Sequence, residues 1–302
     1  MRKRLLFEVA SLVCLSLLQA RAQSVPVPQA QVRIENVTFE RVTKLTPSQR
    51  RDLAKELREQ TDWPTAQTLQ AVAGAVRQRV VAVYANNGYW RAKVEARVIP
   101  GQLSDTAQAV DVVIWAMNEG RQYRLRELRW SGVQAFPEAK LADLMPVHAG
   151  EVLERDRIVA GMDAAHQLYA AHGYLNYIAL PEMQIDDAQG TVALHINVQE
   201  GGVFTFEKFD IVGMAAFSRE RLLEAWPLRP GDVYPNGMVE DFLRRHASLL
   251  PPASPPDVVC RTLDLSNHTI EFVLDFRPQP QPCSSPEADT SSQTLNRLQP
   301  EP

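Results

Sequence analysis

The chain has 302 residues, 45% hydrophobic and 23% charged, an ordinary globular composition with length for about two domains. Lys and Arg number 32 against 36 Asp and Glu, a net charge of −4; so balanced a surface has no field to gather phosphate backbones, which excludes nucleic acid as the expected partner. No apolar run reaches the ~20 residues of a membrane-spanning helix, and 14 Gly with 21 Pro exclude a collagen-like or wholly disordered chain.

Residues 1–22 read as a cleaved secretory leader. Arg2, Lys3 and Arg4 form a positive start, Leu5 to Leu18 an apolar stretch, and Ala20-Arg21-Ala22 a cleavage site before Gln23. Glu8 within the stretch, and its length of about 14 residues, argue against an anchor. Residues 23–30 read as a linker. Cleavage removes Cys14 and leaves Cys260 and Cys283. An oxidising compartment would allow these two to pair; the other reading is two separate thiols, one in a strand and one in a tail.

The rest of the chain repeats. Val32, Ile34, Val37 and Phe39 share the spacing i, i+2, i+5, i+7 with Tyr123, Leu125, Leu128 and Trp130, and with Phe204, Phe206, Phe209 and Ile211. Each set is a strand that alternates, shifts phase once and alternates again, the mark of a bulge. The second and third sets lie 81 residues apart. Gly132 and Gly213, Phe136 and Phe217, Gly150 and Gly231, and Glu119-Gly120 and Glu200-Gly201 all keep that offset.

A short helix follows each first strand; in unit one Thr46-Pro47 supplies its cap and first position. A second helix follows. Leu69, Val72, Val76, Val80 and Val83 mark one face in unit one, and Ile158, Met162, Ala165 and Tyr169 in unit two. It ends at Asn87-Gly88-Tyr89 and His172-Gly173-Tyr174, where glycine supplies a left-handed cap. Two more strands close the unit. The last is clear in unit two (Val192, Leu194, Ile196, Val198) and unit three (Ile270, Phe272, Leu274, Phe276). In unit one either Val110, Val112 and Ile114 or Val113, Trp115 and Met117 face inward. Asp186-Asp187 with Gly190 reads as a hairpin turn.

The expected fold is therefore α+β: tandem β-α-α-β-β modules, each a three-stranded sheet with two helices on one face. The units span 31–120, 121–202 and 203–277. Unit three departs at Pro251–Pro256, which must end its second helix, expected over 236–249. Residues 278–302, rich in Pro and Ser, read as a disordered tail.

No catalytic, cofactor or metal constellation emerges. His166 and His172 are six apart and do not share a helical face, and no Ser or Cys has a base partner in a known pattern. Tyr89, Tyr174, Trp63, Trp115, Trp130 and Trp226 read as core aromatics. Trp90 stays open as a binding aromatic.

These motifs resemble the polypeptide-transport-associated (POTRA) domain, most nearly the periplasmic repeats of outer-membrane barrel assembly and surface-antigen proteins. The resemblance rests on Arg129-Trp130-Ser131-Gly132, Gly150-Glu151-Val152-Leu153, His172-Gly173-Tyr174 and Glu200-Gly201 in unit two. Unit one keeps Gly88-Tyr89 and Glu119-Gly120 but lacks the first-strand glycine. Unit three keeps Gly213 and Gly231-Asp232-Val233-Tyr234 and loses Gly-Tyr, so it is expected to be degenerate. The resemblance implies a non-enzymatic periplasmic array, associated with the outer membrane, that binds a β-barrel protein or its precursors, or accessory lipoproteins, without cofactor or metal and with peripheral membrane association. Twenty-five residues after Arg277 are too few for a barrel, since the smallest has eight strands, so the expectation is an adaptor. The alternative is a division-type scaffold held at the inner membrane by an uncleaved leader.

The resemblance also implies that the second strand is the exposed edge, beginning at Trp90 and Leu175. Strand addition there would use Trp90, Arg91, Lys93, Glu95, Leu175 and Asn176. Arg91, Lys93, Glu95 and Arg97 alternate with Ala92, Val94, Ala96 and Val98, as a half-buried strand does; the charges could equally serve only to protect the edge.

Overall fold

The computed structural model describes residues 31–277 except 62, 64–68, 104–106 and 252–258. The expected leader, the linker 23–30, most of the proline loop, the tail and Cys283 lie outside the described residues. Cys260 is disulfide-bonded.

The architecture is α+β, with three three-stranded sheets. The first holds β1 (Gln31–Glu40), β2 (Lys93–Leu103) and β3 (Ala107–Asn118), with α1 (Pro47–Glu59) and α2 (Leu69–Asn86) between β1 and β2. The second holds β4 (Arg124–Ser131), β5 (Ile178–Asp186) and β6 (Thr191–Gln199), with α3 (Glu138–Leu144) and α4 (Arg155–Ala171). The third holds β7 (Thr205–Val212), β8 (Val259–Asp264) and β9 (Thr269–Asp275), with α5 (Ala216–Ala225) and α6 (Met238–Arg245). In each the last strand is central, parallel to the first and antiparallel to the second.

The phase shift read from the apolar spacing is a bulge in all three sheets. Register slips between Ile34 and Asn36, Leu125 and Glu127, and Phe206 and Lys208. The extra residues are Glu35, Arg126 and Glu207. Each bulge lets apolar side chains on both sides of it face the helices, which unbroken alternation would forbid.

The register left open in unit one resolves toward Val110, Val112 and Ile114, all buried. Trp115 therefore lies on the opposite face, half-exposed, and is not a core residue. Trp63 and Trp130 are buried, and Trp226 stacks on Phe209 at 4.1 Å between ring centres. Tyr89 and Tyr174 are only half-buried. They pack edge-to-face on Tyr84 and Tyr169 of the preceding helices, at the margins of the first and middle cores.

Helix α1 starts where Thr46-Pro47 predicts. The Thr46 hydroxyl accepts from the Gln49 N–H, and the Gln49 side chain accepts from the Thr46 N–H at 2.8 Å, a reciprocal cap. His172 caps α4, its Nδ1 2.7 Å from the Leu168 carbonyl oxygen. In unit three α6 stops at Arg245, four residues short of the expected end, and a single 3-10 turn, Ala247–Leu249, finishes it.

Unit one lacks the first-strand glycine, yet Arg41 at that place keeps a left-handed backbone, φ 55°. A side chain there costs about 1–2 kcal/mol, partly offset by the freedom glycine retains when unfolded. Arg41→Gly is expected to stabilise the chain by about 0.5–1 kcal/mol in thermal denaturation.

Candidate functional site

The units are coupled by one repeated joint. The Tyr123 N–H donates to the Gly88 carbonyl at 2.9 Å, and the Phe204 N–H to the Gly173 carbonyl at 2.8 Å. A Cβ on Gly88 would meet Val152, and one on Gly173 would meet Val233, at 2.6 and 2.7 Å. The Gly-Tyr turn of one unit thus seats against the Gly-x-Val loop of the next. That same loop lies beside the first strand of its own unit: Leu125 donates to Glu151 and Phe206 to Asp232.

This joint corrects the placement of four residues. The strands begin at Lys93 and Ile178, three residues later than expected. Trp90, Arg91, Leu175 and Asn176 lie in the turns before them, closed by the Ala92 N–H on Tyr89 and the Tyr177 N–H on Tyr174. Trp90 is 0% exposed and belongs to the core of the middle unit, its indole N–H donating to the Leu153 carbonyl at 2.7 Å. Arg91 approaches Asp187 of the middle unit at 3.8 Å. Leu175 packs against the third core. Of the six residues expected on edge strands, Lys93 and Glu95 are on one. Sequence alternation could not reveal this, because the turn preserves the apolar spacing.

Each sheet leaves its second strand at an edge. Two prolines set which main-chain groups face outward. In an antiparallel ladder, hydrogen-bonded pairs alternate with non-bonded pairs, and an edge proline, lacking N–H, occupies the non-bonded kind. Pro100 pairs with Val110 and the register is unbroken back to Val94. Val94, Ala96 and Val98 therefore present their N–H and C=O groups away from β3. Pro181 pairs with Ile196, so Ala179, Met183 and Ile185 present theirs away from β6, with Pro181 supplying no donor between them.

A trench of about 440 Å3 runs along β2. Leu69, Gln70 and Ala73 of α2 line one side, with Ala96 and Val98; Glu95, Arg97, Trp115 and Met117 line the other. Met117 and Ile99 are among the exposed large apolar residues.

The Glu-Gly motif has a structural task. Glu119 accepts from the Thr43 and Lys44 N–H groups, each at 2.8 Å, and from the Tyr84 hydroxyl at 2.6 Å. Glu200 accepts from Gln134 and Ala135 at 2.7 and 2.9 Å and from Tyr169 at 2.6 Å. Burial alone would raise both carboxyls. The donors outweigh it, from Thr43, Tyr84 and Lys44 on Glu119, and from Tyr169, Gln134 and Ala135 on Glu200, and hold both below the ordinary range. Burial, and then these carboxylates, push Tyr84 and Tyr169 far up.

A carboxyl depressed in the folded state stabilises above its unfolded pKa, about 4.3, and the gain is lost as pH falls through the folded value. Chemical denaturation midpoints are therefore expected to fall below about pH 4. The fall should be shallower in Glu119→Gln combined with Glu200→Gln, which lack the titrating groups.

Among the described residues no group of three or more His, Cys, Asp or Glu could hold a metal ion, and no helix is long and apolar enough to cross a membrane.

Residues 123–201 match the family model described as POTRA, surface antigen variable number repeat. The chain is similar to a putative outer membrane protein assembly factor of Treponema pallidum (strain Nichols), 25% identical over 216 residues, covering 67% of this chain and 26% of that protein. It is also similar to outer membrane protein assembly factor BamA of Buchnera aphidicola subsp. Acyrthosiphon pisum (strain APS), 29% identical over 116 residues, covering 38% of this chain and 18% of that protein. The chain thus spans about a quarter or less of these relatives' length. Among solved structures, Haemophilus influenzae BamA POTRA3-5 matches with a TM-score of 0.55 and 22% identity, covering 82% of this chain and 96% of that one; at that identity the likeness is one of fold. The middle unit, which matches the POTRA model, and its two neighbours share one β-α-α-β-β fold, so the chain is a tandem array of three such units with the fold seen in POTRA domains.

Proposed function

We propose that the chain is a non-enzymatic, periplasmic polypeptide-binding adaptor in outer-membrane protein assembly or export. It takes an extended segment of a β-barrel protein or its precursor, or of an accessory lipoprotein, by strand addition. The observation that carries this is the edge position of β2, whose ladder phase, fixed by Pro100, turns the main-chain N–H and C=O groups of the partly exposed Ala96 and Val98 outward. Such groups form a ladder with any extended chain and tolerate many sequences. The similarity to outer-membrane assembly factors supplies the client class. The array needs no cofactor for this, because the binding groups belong to the backbone.

The test is a photo-reactive residue at Lys93 or Arg97 in the full chain, cross-linked in native envelopes. Capture of barrel precursors or of a barrel-bearing assembly protein is expected. Capture only of inner-membrane or cell-wall proteins would overturn the reading in favour of a scaffold.

A further inference from the structure

We propose that the edges of the first and middle units are not equivalent: polypeptide docks on β2 of the first unit, and Pro181 closes β5 of the middle unit. This rests on the polypeptide-binding reading above and names the site and the pattern of segment it selects.

The two edges are related position by position. Ala96 pairs with Ile114 as Pro181 pairs with Ile196, and each lies eight residues beyond the glycine of Gly88-Tyr89 or Gly173-Tyr174. At β2 the outward row Val94, Ala96 and Val98 is uninterrupted and ends at Pro100. At β5 the same row runs Ala179, Pro181, Met183, and its middle member has no N–H. An added strand would leave its facing carbonyl unpaired against the proline ring, which is how natural sheets blunt an edge. Val94 is buried, and the first unit's edge thus offers donors at the partly exposed Ala96 and Val98, where the middle unit's has a gap at Pro181. The trench accompanies β2.

The trench selects among segments. Side chains of an added strand point alternately to its two faces. One row meets Leu69, Gln70, Ala73 and Val98 beside α2, the other Glu95, Arg97, Trp115 and Met117. The segment that fits alternates, with apolar residues on the α2 side against Leu69, Ala73 and Val98, and opposite them residues whose polar end meets Glu95 and Arg97 and whose carbon atoms meet Trp115 and Met117. A uniformly polar or uniformly charged peptide leaves the α2 side unfilled.

The experiment uses the full chain and a fluorescein-labelled heptapeptide alternating threonine and valine, read by fluorescence anisotropy. Ala96→Pro transplants the middle unit's proline to the position where that unit already accommodates it, so folding is retained, and circular dichroism verifies it. Ala96→Val keeps the main-chain donor. Ala96→Pro is expected to weaken binding roughly tenfold or more, from one lost hydrogen bond and one carbonyl left unpaired, while Ala96→Val binds within about threefold of the parent. The heptapeptide N-methylated at every residue, which cannot donate along either edge, is expected not to bind. Equal affinity of Ala96→Pro and the parent, equal loss in both variants, or undiminished binding of the methylated peptide would each overturn the assignment to β2. In those cases the parent still binds and the adaptor reading stands. No binding by the parent would remove that reading, and this inference with it.

Discussion

Trp90→Ala is expected to destabilise the chain by about 3–5 kcal/mol, the cost of truncating a buried aromatic. The side chain belongs to the first unit by sequence and to the middle unit by packing: it is fully buried in the middle core, with Ala85 beside it. Its removal opens a cavity in that core and strips the Leu153 carbonyl of its donor at 2.7 Å. Beside it, Asn86 and Asp156 exchange two bonds, of 2.6 and 3.1 Å, and Gln122 donates to the Asn87 carbonyl at 2.9 Å. Leu175 holds the corresponding place in the second joint and has no donor to offer. Main-chain bonds from Phe204 to Gly173 and from Asn236 to Ala170 tie that joint. Leu175 is half-buried, so Leu175→Ala should cost clearly less. Guanidinium unfolding followed by circular dichroism compares the two variants; a loss under about 1 kcal/mol for Trp90→Ala would mean that the indole does not hold the joint.

Gly132→Ala is expected to cost about 2–5 kcal/mol. The residue has φ +77°, and its Cβ would fall 2.1 Å from the Val198 carbonyl oxygen. A main-chain oxygen cannot swing aside as a flexible side chain can, so the end of β6 must move. Gly150 separates the two contributions. Its φ is +86° and nothing lies within 4 Å of its Cβ position, so Gly150→Ala should show only the left-handed strain, about 1–2 kcal/mol. Thermal denaturation of both variants tests the pair. Equal losses would show that the clash with Val198 relaxes at no cost.

Much of the architecture is legible in the chain itself. The spacing i, i+2, i+5, i+7 encodes a bulge because a strand has only two faces, and an odd step between apolar residues demands one extra residue. Thr46-Pro47 starts a helix because its hydroxyl and ring act within one turn. Gly88 and Gly173 end helices because a left-handed residue is a local requirement. Repetition of these signals at a constant offset gives the order of strands and helices.

What the chain does not display is which surface each turn meets. Trp90 looked like an exposed aromatic at the start of an edge, and the next unit buries it. Trp115 looked like a core residue, and the parallel pairing of β1 with β3 turns it to the opposite face. Glu119 and Glu200 read as motif letters, and their task depends on loops 76 and 66 residues earlier in the chain. The open edge at β2 and the closed one at β5 depend on the phase of a ladder that only strand pairing establishes. Periodicity and capping are interactions over a few residues, so the sequence by itself determines bulges, helix ends and repeats. Burial of Trp90, the face of Trp115 and the direction of edge N–H groups depend on partners far along the chain, and the tertiary structure alone decides them.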